Sequence, residues 1–334
     1  MSVLVTGGTG FLALYVIDVL LESGYTVIGT ARSEARYAPM LKEFEKKYPN
    51  VKLSYEIVPE IGAENAFDAV LKGHPEIKYV LHTASPVTFG LNKPLKEAYL
   101  DPAVNGTLNI LKSVQKYAPQ VTRVGITSSD SAVVRETTDF VHYTNQSWNT
   151  ITWEDVTSDL EAYVAAKTIA EKAAWKFVKD EKPSFALTTV CPPYIFGPQL
   201  FDSLLGKTLN FSNEIFYTSA TSEHTPEFLN QPAEMSVDVR DVALFHKFAI
   251  EQEATKGQRL FIAKEFFTYV SLLKLMNKHF PDIGLPKTGD AGKSPAFSFD
   301  VSNVVELVGG HDFIPLEKSV VDTVAQYVKV NGHF

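Results

Sequence analysis

Tyr163 and Lys167 stand four residues apart in Tyr163-Val164-Ala165-Ala166-Lys167. On a helix that spacing puts both side chains on one face. A phenol titrates near pH ~10 and is a reluctant acid at neutrality. A neighbouring ammonium favours the phenolate and draws its pKa down, towards the range where acid–base catalysis is efficient. The pair therefore reads as a proton donor, Tyr163, tuned by a cation, Lys167, that also reaches a cofactor ribose. A second such spacing, Tyr48 to Lys52, encloses Pro49 and Asn50 and reads as a turn. Thr127-Ser128-Ser129-Asp130-Ser131 adds hydroxyls that could donate to an oxygen gaining negative charge. Three serines compete there, and strand alternation does not choose among them because the strand is ending. No Gly-x-Ser-x-Gly elbow surrounds them, which argues against a serine hydrolase.

Upstream, Gly7-Gly8-Thr9-Gly10-Phe11-Leu12-Ala13 follows an apolar run and opens a helical pattern. A dinucleotide site needs a tight turn, close backbone approach to the pyrophosphate, and a small residue where helix meets strand. Gly7, Gly10 and Ala13 meet these needs in order. Gly8, Thr9, Phe11 and Leu12 complete a cradle at a helix N-terminus, where free amides and the positive dipole end face the phosphates. At the end of the second strand an NAD site usually carries an acidic residue for the ribose 2′-hydroxyl. This chain has Arg32 there and Arg36 one turn on. A guanidinium can hold a 2′-phosphate through two parallel bonds, so NADP(H) is the expected cofactor.

The elements that must position these groups are legible as a rhythm. Strands are expected at Val3–Val5, Tyr25–Gly29, Leu53–Val58, Tyr79–Leu81, Val124–Thr127 and Leu187–Val190. Helices are expected at Phe11–Ser23, Ser33 to Tyr48, Ala63–Lys72, Pro102–Tyr117 and Ala162–Lys179, with Gly24 as a stop and Ser33 as a cap. Apolar strands alternating with helices imply a parallel sheet covered on both faces, hence an α/β doubly wound Rossmann sheet. After Pro192 the rhythm changes. Segment 197–235 reads as loop-rich, with Pro198, Pro226 and Pro232 and aromatic residues between, Val237–Val239 resembles a strand, and Asp241–Ile250, Val270–Phe280 and Glu317–Val330 are helical. The expected organisation is an NADP-binding domain over 1–192, with 237–262 returning to it, and a smaller substrate lobe over 193–334.

The totals exclude several classes. A chain of 334 residues with 45% hydrophobic and 21% charged residues buries a sizeable core and is not disordered. A net charge of -8 without a basic run argues against nucleic acid. The single cysteine, Cys191, permits no intrachain disulfide and reads as a small buried hydrophobe, and the eight histidines form no HxxxH or HExxH pair, so no metal is expected. Phe11–Leu21 is apolar but lacks a preceding basic segment and is too short to span a bilayer. The expectation is a cytoplasmic protein without membrane partners.

With these motifs in place the chain resembles the extended short-chain dehydrogenase/reductase superfamily. Within it the resemblance is to the branch of the yeast methylglyoxal and isovaleraldehyde reductases, itself similar to dihydroflavonol and cinnamoyl-CoA reductases. The matching stretches run almost the whole length: VIGTARS at 27–33, VLHTASP at 80–86, Val104-Asn105-Gly106, Ser147-Trp148-Asn149, Ala170 to Trp175, Tyr194 to Gln199 and Asp238 to Ala243. The resemblance implies an oxidoreductase that uses NADPH to reduce a small carbonyl compound, aldehyde or ketone, to an alcohol. It selects Ser129 among the serines and implies a Ser129/Tyr163/Lys167 triad. It implies that Glu60 and Ile61 meet the adenine, that Thr83, Ala84 and Ser85 line the cofactor cleft, and that Ile195 and Ser212 lie near the nicotinamide and diphosphate. Val87, Val134 and Tyr194 would shape the substrate pocket, the two valines standing where the yeast enzyme has phenylalanines. Cys191 stands in place of an asparagine, and Asp130 in place of an aromatic residue. Helices 102–117 and 162–179 could pair two copies into a homodimer. Two other readings stay open: a reductase of the dihydroflavonol or cinnamoyl-CoA type, and a protein that senses NADP without chemistry.

Overall fold

The computed structural model describes residues 1–85, 90, 92–135, 137, 139–206, 209–225, 228, 230–288 and 295–333. Its first unit is strand β1 (Ser2–Thr6), helix α1 (Phe11–Glu22), β2 (Thr26–Ala31), α2 (Glu34–Lys47) and β3 (Leu53–Ile57). Helix α3 (Asp68–Gly73), β4 (Ile77–His82), α4 (Asp101–Tyr117), β5 (Arg123–Thr127), the short β6 (Val141–Tyr143), α5 (Asp159–Glu181) and β7 (Ala186–Cys191) follow. The main sheet is parallel throughout, in the order β3-β2-β1-β4-β5-β7 and then β10 (Arg259–Phe261). The chain winds outward from β1 to β3, then crosses back to place β4 against the other side of β1. That reversal opens a crevice beyond the carboxyl ends of β1 and β4, where such sheets bind ligands.

Strand alternation explains the two cores. Val3 and Val5 of β1 face a cluster with Leu14, Ile17 and Leu20 of α1, whereas Leu4 faces one with Ile110, Leu111 and Val114 of α4. Successive side chains point to opposite faces, so a strand buried on both sides must be apolar at every position. Helix α1 is capped by Ser23 and followed by Gly24, whose φ of 82° suits a residue without a Cβ.

The C-terminal part adds β8 (Tyr194–Phe196), α6 (Glu214–Thr221), β9 (Glu234–Asp238), α7 (Val239–Glu251), β11 (Glu265–Phe267), α8 (Tyr269–His279), β12 (Phe297–Phe299), α9 (Ser302–Leu307) and α10 (Leu316–Asn331). Strands β8, β9 and β11 form a separate three-stranded sheet, and β6 pairs with β12. Within 237–262, α7 packs on α1 and on the main sheet, and β10 joins that sheet beside β7. Val237 and Asp238 instead belong to the small sheet through β9.

One helix expectation needs correction, and one element was not expected. The helix expected over Ala63–Lys72 starts only at Asp68, because 61–67 forms turns in which Asn65 adopts a left-handed φ of 59°. Helix α4 is preceded by a π-helical turn over Lys96–Leu100 that carries Ala98 and Tyr99 onto Ala162 and Ala166 of α5. Among the described residues no helix is long and apolar enough to cross a membrane, and no group of His, Cys, Asp and Glu could hold a metal ion.

Candidate active site

The glycine turn lies directly beyond β1. Gly7 has a φ of 68°, and a Cβ built there would lie 2.8 Å from the Ala84 Cα, so only glycine lets the turns after β1 and β4 approach. The Gly7 amide donates to Thr30 Oγ1 and the Gly8 amide to the Thr30 carbonyl. Tyr55 packs over Gly29, where any Cβ would meet its ring at 2.5 Å, and donates from its hydroxyl to the Gly8 carbonyl at 2.9 Å. Its ring stacks on Tyr37 at 4.8 Å. Sequence reasoning missed this brace, because nothing in the run Leu53 to Ile57 marks Tyr55 as facing the turn.

Helix α1 begins at Phe11 with Gly10 as an N-cap that supplies no side-chain acceptor, and its first turn has no acidic residue. Its positive end is therefore not neutralised by its own first turn. Arg32 and Arg36 are exposed at the end of β2 and the start of α2, and neither is ion-paired to a described residue. An uncapped helix N-terminus, a turn too close for a Cβ and two uncommitted guanidinium groups fit a dinucleotide carrying an extra phosphate.

Across the crevice, Thr83 donates to the Thr6 carbonyl at 2.6 Å and the Ala84 amide to Thr6 Oγ1 at 3.2 Å, which ties the end of β4 to β1. A cleft open to solvent is lined by Ile61, Ala84, Ser85, Thr127, Ser128 and Lys167, among others. Glu60 is exposed beside it. The Ile195 amide donates to Ser212 Oγ at 3.3 Å, bringing those two positions together although 17 residues separate them. Tyr194 is partly buried against Phe267, and Val134 is partly buried beside Tyr143 and Cys191. Val87 lies outside the described residues.

The hydroxyls after β5 are sorted by their partners. Ser128 donates to Glu171 Oε2 at 2.6 Å and is committed to that buried carboxylate. Ser129 Oγ caps the turn Asp130–Ala132 by accepting from the Ser131 amide at 3.2 Å, and donates to Asp130 Oδ1 at 2.9 Å. It also hydrogen-bonds the Tyr163 phenol. Tyr163, Lys167 and Glu171 recur every fourth residue of α5, whose start is capped by Ser158 and whose buried stripe of Ala162, Ala165 and Ala166 brings the helix close to its neighbours. This helix thus carries Tyr163 to Ser129 and Lys167 into the cleft.

The electrostatics differ from the expectation that Lys167 draws the Tyr163 pKa down. In the protein alone, burial pushes the Tyr163 phenol up to about 12, with the Asp130 charge adding and the Ser129 hydrogen bond opposing. Burial also lowers Lys167 to about 8, against the opposing effects of Cys191 and Glu171. Removing both charges from water costs more than their helical spacing returns. Asp130 is raised by burial to about 6, less the effect of the Ser129 and Ser131 bonds. Glu234 rises to about 7 through burial and the Asp130 charge.

Behind the site, Glu171 and Arg259 form an ion pair with Nε to Oε1 at 2.7 Å and Nη2 to Oε2 at 3.2 Å. Arg259 also donates to the carbonyls of Ala132, Asn145 and Ser147 and stacks on Trp148 at 3.6 Å. This guanidinium pins the loop that follows Ser129. The i+4 step from Lys167 to Glu171 was a signal available in the sequence; Arg259, 88 residues further on, gave none. Cys191 is buried with its thiol pushed up by burial and by Glu171.

Residues 3–263 match the NAD dependent epimerase/dehydratase family. The chain is 38% identical to the NADPH-dependent methylglyoxal reductase of Saccharomyces cerevisiae, over 99% of each chain. It is 31% identical to aldehyde reductase 2 of Sporidiobolus salmonicolor, covering 96% of this chain and 94% of that one. The fold is similar to the crystal structure of the yeast methylglyoxal/isovaleraldehyde reductase Gre2 complexed with NADPH, with a TM-score of 0.92, 36% identity and complete coverage of both chains.

Proposed function

The chain belongs to the NAD dependent epimerase/dehydratase family, and on that premise we propose that it reduces aldehydes and ketones to alcohols with NADPH. The observation that carries this reading is the meeting of Ser129 and Tyr163, brought together across 34 positions of sequence, with Lys167 one helical turn on in a cleft also lined by Ala84, the residue that abuts Gly7. The relatives named for NADPH-dependent reduction of methylglyoxal and for aldehyde reduction support it.

Bound NADPH would supply the hydride. The glycine turn and the first turn of α1, at Phe11 and Leu12, would hold its diphosphate, and Arg32 and Arg36 its 2′-phosphate. Glu60 and Ile61 would flank the adenine, and Ala84, Ser85, Ile195 and Ser212 the path towards the nicotinamide. Lys167 would bind the ribose. Ser129 orients the carbonyl oxygen, and Tyr163 gives it a proton as negative charge develops. Tyr194 and Val134 border the substrate side. The phenol raised to about 12 is fully protonated at neutrality, the form a reductase requires of its donor.

Arg32 in place of an acidic residue weighs against a tightly held NAD, and so against epimerase chemistry. The Tyr163→Phe variant tests the reading. It is expected to bind NADPH, by fluorescence, within a few-fold of the parent while losing turnover by a factor of about 10²–10⁴, the usual worth of a general acid. Retained turnover in that variant overturns the assignment of Tyr163. Equal rates with NADPH and NADH overturn that of Arg32.

A further inference from the structure

Ser129 has one proton and two acceptors within its reach, Asp130 Oδ1 at 2.9 Å and Ser131 Oγ at 3.1 Å, of which an ionised carboxylate is the stronger. Asp130 sits in the turn after β5, its own amide held by the Pro192 carbonyl at 3.0 Å. Groups from every neighbouring element face it: Ser129 and Ser131 on its own turn, Tyr163 from α5, Tyr194 from β8 and Glu234 from β9. Among these no cation compensates it.

We infer that Asp130 is a positioning residue whose protonation decides whether Ser129 can donate to the substrate oxygen. An ionised carboxylate is an acceptor only, so it retains the serine proton and leaves Ser129 presenting lone pairs to a carbonyl that also presents lone pairs. A protonated Asp130 reverses the bond. Its O–H donates to Ser129 Oγ, and the serine proton turns to the substrate oxygen. Ionised Asp130 also faces Tyr163 and makes its phenol a weaker acid. Both effects slow reduction in the same direction. Burial has already raised Asp130 to about 6, and burial, with ionised Asp130 adding, in turn raises Glu234 to about 7.

This inference rests on the reductase reading, and the experiment separates the two. kcat/KM for NADPH-dependent reduction of isovaleraldehyde is measured from pH 5 to pH 9 for the parent, Asp130→Asn and Asp130→Ala, with thermal melts confirming that each variant is folded. The parent is expected to fall about tenfold per pH unit above an inflection near 6. An asparagine keeps the shape, carries no charge and donates from its amide, so its profile is expected to be flat to pH 8. At pH 7.5 it then exceeds the parent by up to about 30-fold, the ratio set by a group that titrates near 6. The alanine variant tests charge without a donor, and it too is expected to lose the inflection. If the parent turns over and both folded variants keep its profile, the role of Asp130 is overturned while the reductase reading stands. No turnover by any form, at any pH and with NADPH bound, overturns both.

Discussion

Removing Arg259 should expose how much of the site depends on a residue distant from it in sequence. In Arg259→Ala the Glu171 carboxylate, only 1% exposed, loses its bidentate partner. Breaking a buried pair from one side costs about 3–5 kcal/mol, because the remaining charge stays buried without compensation. The carbonyls of Ala132, Asn145 and Ser147 lose their donor as well, which sets the upper part of that range. For 334 residues, an unfolding entropy of about 2.1 cal/mol/K per residue converts this to a fall in Tm of roughly 4–7 °C. The pH dependence identifies the cause. Burial raises the Glu171 pKa, but hydrogen bonds and charge from Arg259, with Ser128 and Thr189, bring it below the ordinary value. In the parent that stabilisation is present above the unfolded pKa and is lost as pH falls through the folded one. In the variant burial acts with less opposition and Glu171 rises, so the sign reverses: the penalty is full at neutral pH and shrinks on acidification as the carboxyl takes up a proton. The assay is thermal unfolding of parent and variant between pH 5.5 and pH 8, with Glu171→Gln/Arg259→Ala to complete the comparison. A variant that melts within about 1 °C of the parent, or a penalty constant across that pH range, refutes the reasoning.

Two further outcomes are expected. Arg32→Ala should raise the KM for NADPH by about 10- to 150-fold, the worth of charge-assisted bonds to a phosphate, and leave that for NADH nearly unchanged; steady-state rates with both cofactors check this. Gly7→Ala should abolish measurable NADPH binding by fluorescence and lower stability by about 1–3 kcal/mol, because the new Cβ meets Ala84 and the left-handed backbone penalises it; a variant that binds NADPH normally shows that the two turns can separate without cost.

Most helices and the longer strands of the first 192 residues were legible because each is long enough to show its period and is bounded by glycine, proline or a cap, the start of α3 being the exception among the helices. The three-residue strands β6, β8, β10, β11 and β12 were not, since a run of three residues shows no alternation and each forms only because a partner strand is already in place. Helix α6, within the proline-rich 197–235, was hidden for a related reason. It is eight residues long, and its burial of Ile215 and Phe216 against Phe196 depends on a neighbour.

Local spacing by itself determined the glycine turn, the two arginines beyond β2 and the shared helix face of Tyr163 and Lys167, because each lies within one or two turns of chain, where backbone geometry alone fixes the relation. Which serine hydroxyl faces Tyr163 was not decided at that range. Ser128 is taken by Glu171, Glu171 is held by Arg259, and Arg259 arrives on the last strand of the sheet. The direction of the pKa shifts also belonged to the tertiary structure. Spacing predicted a lowered Tyr163, whereas its burial beside Asp130 raises it. Desolvation is set by everything packed around a group, and that is known only once distant segments have met.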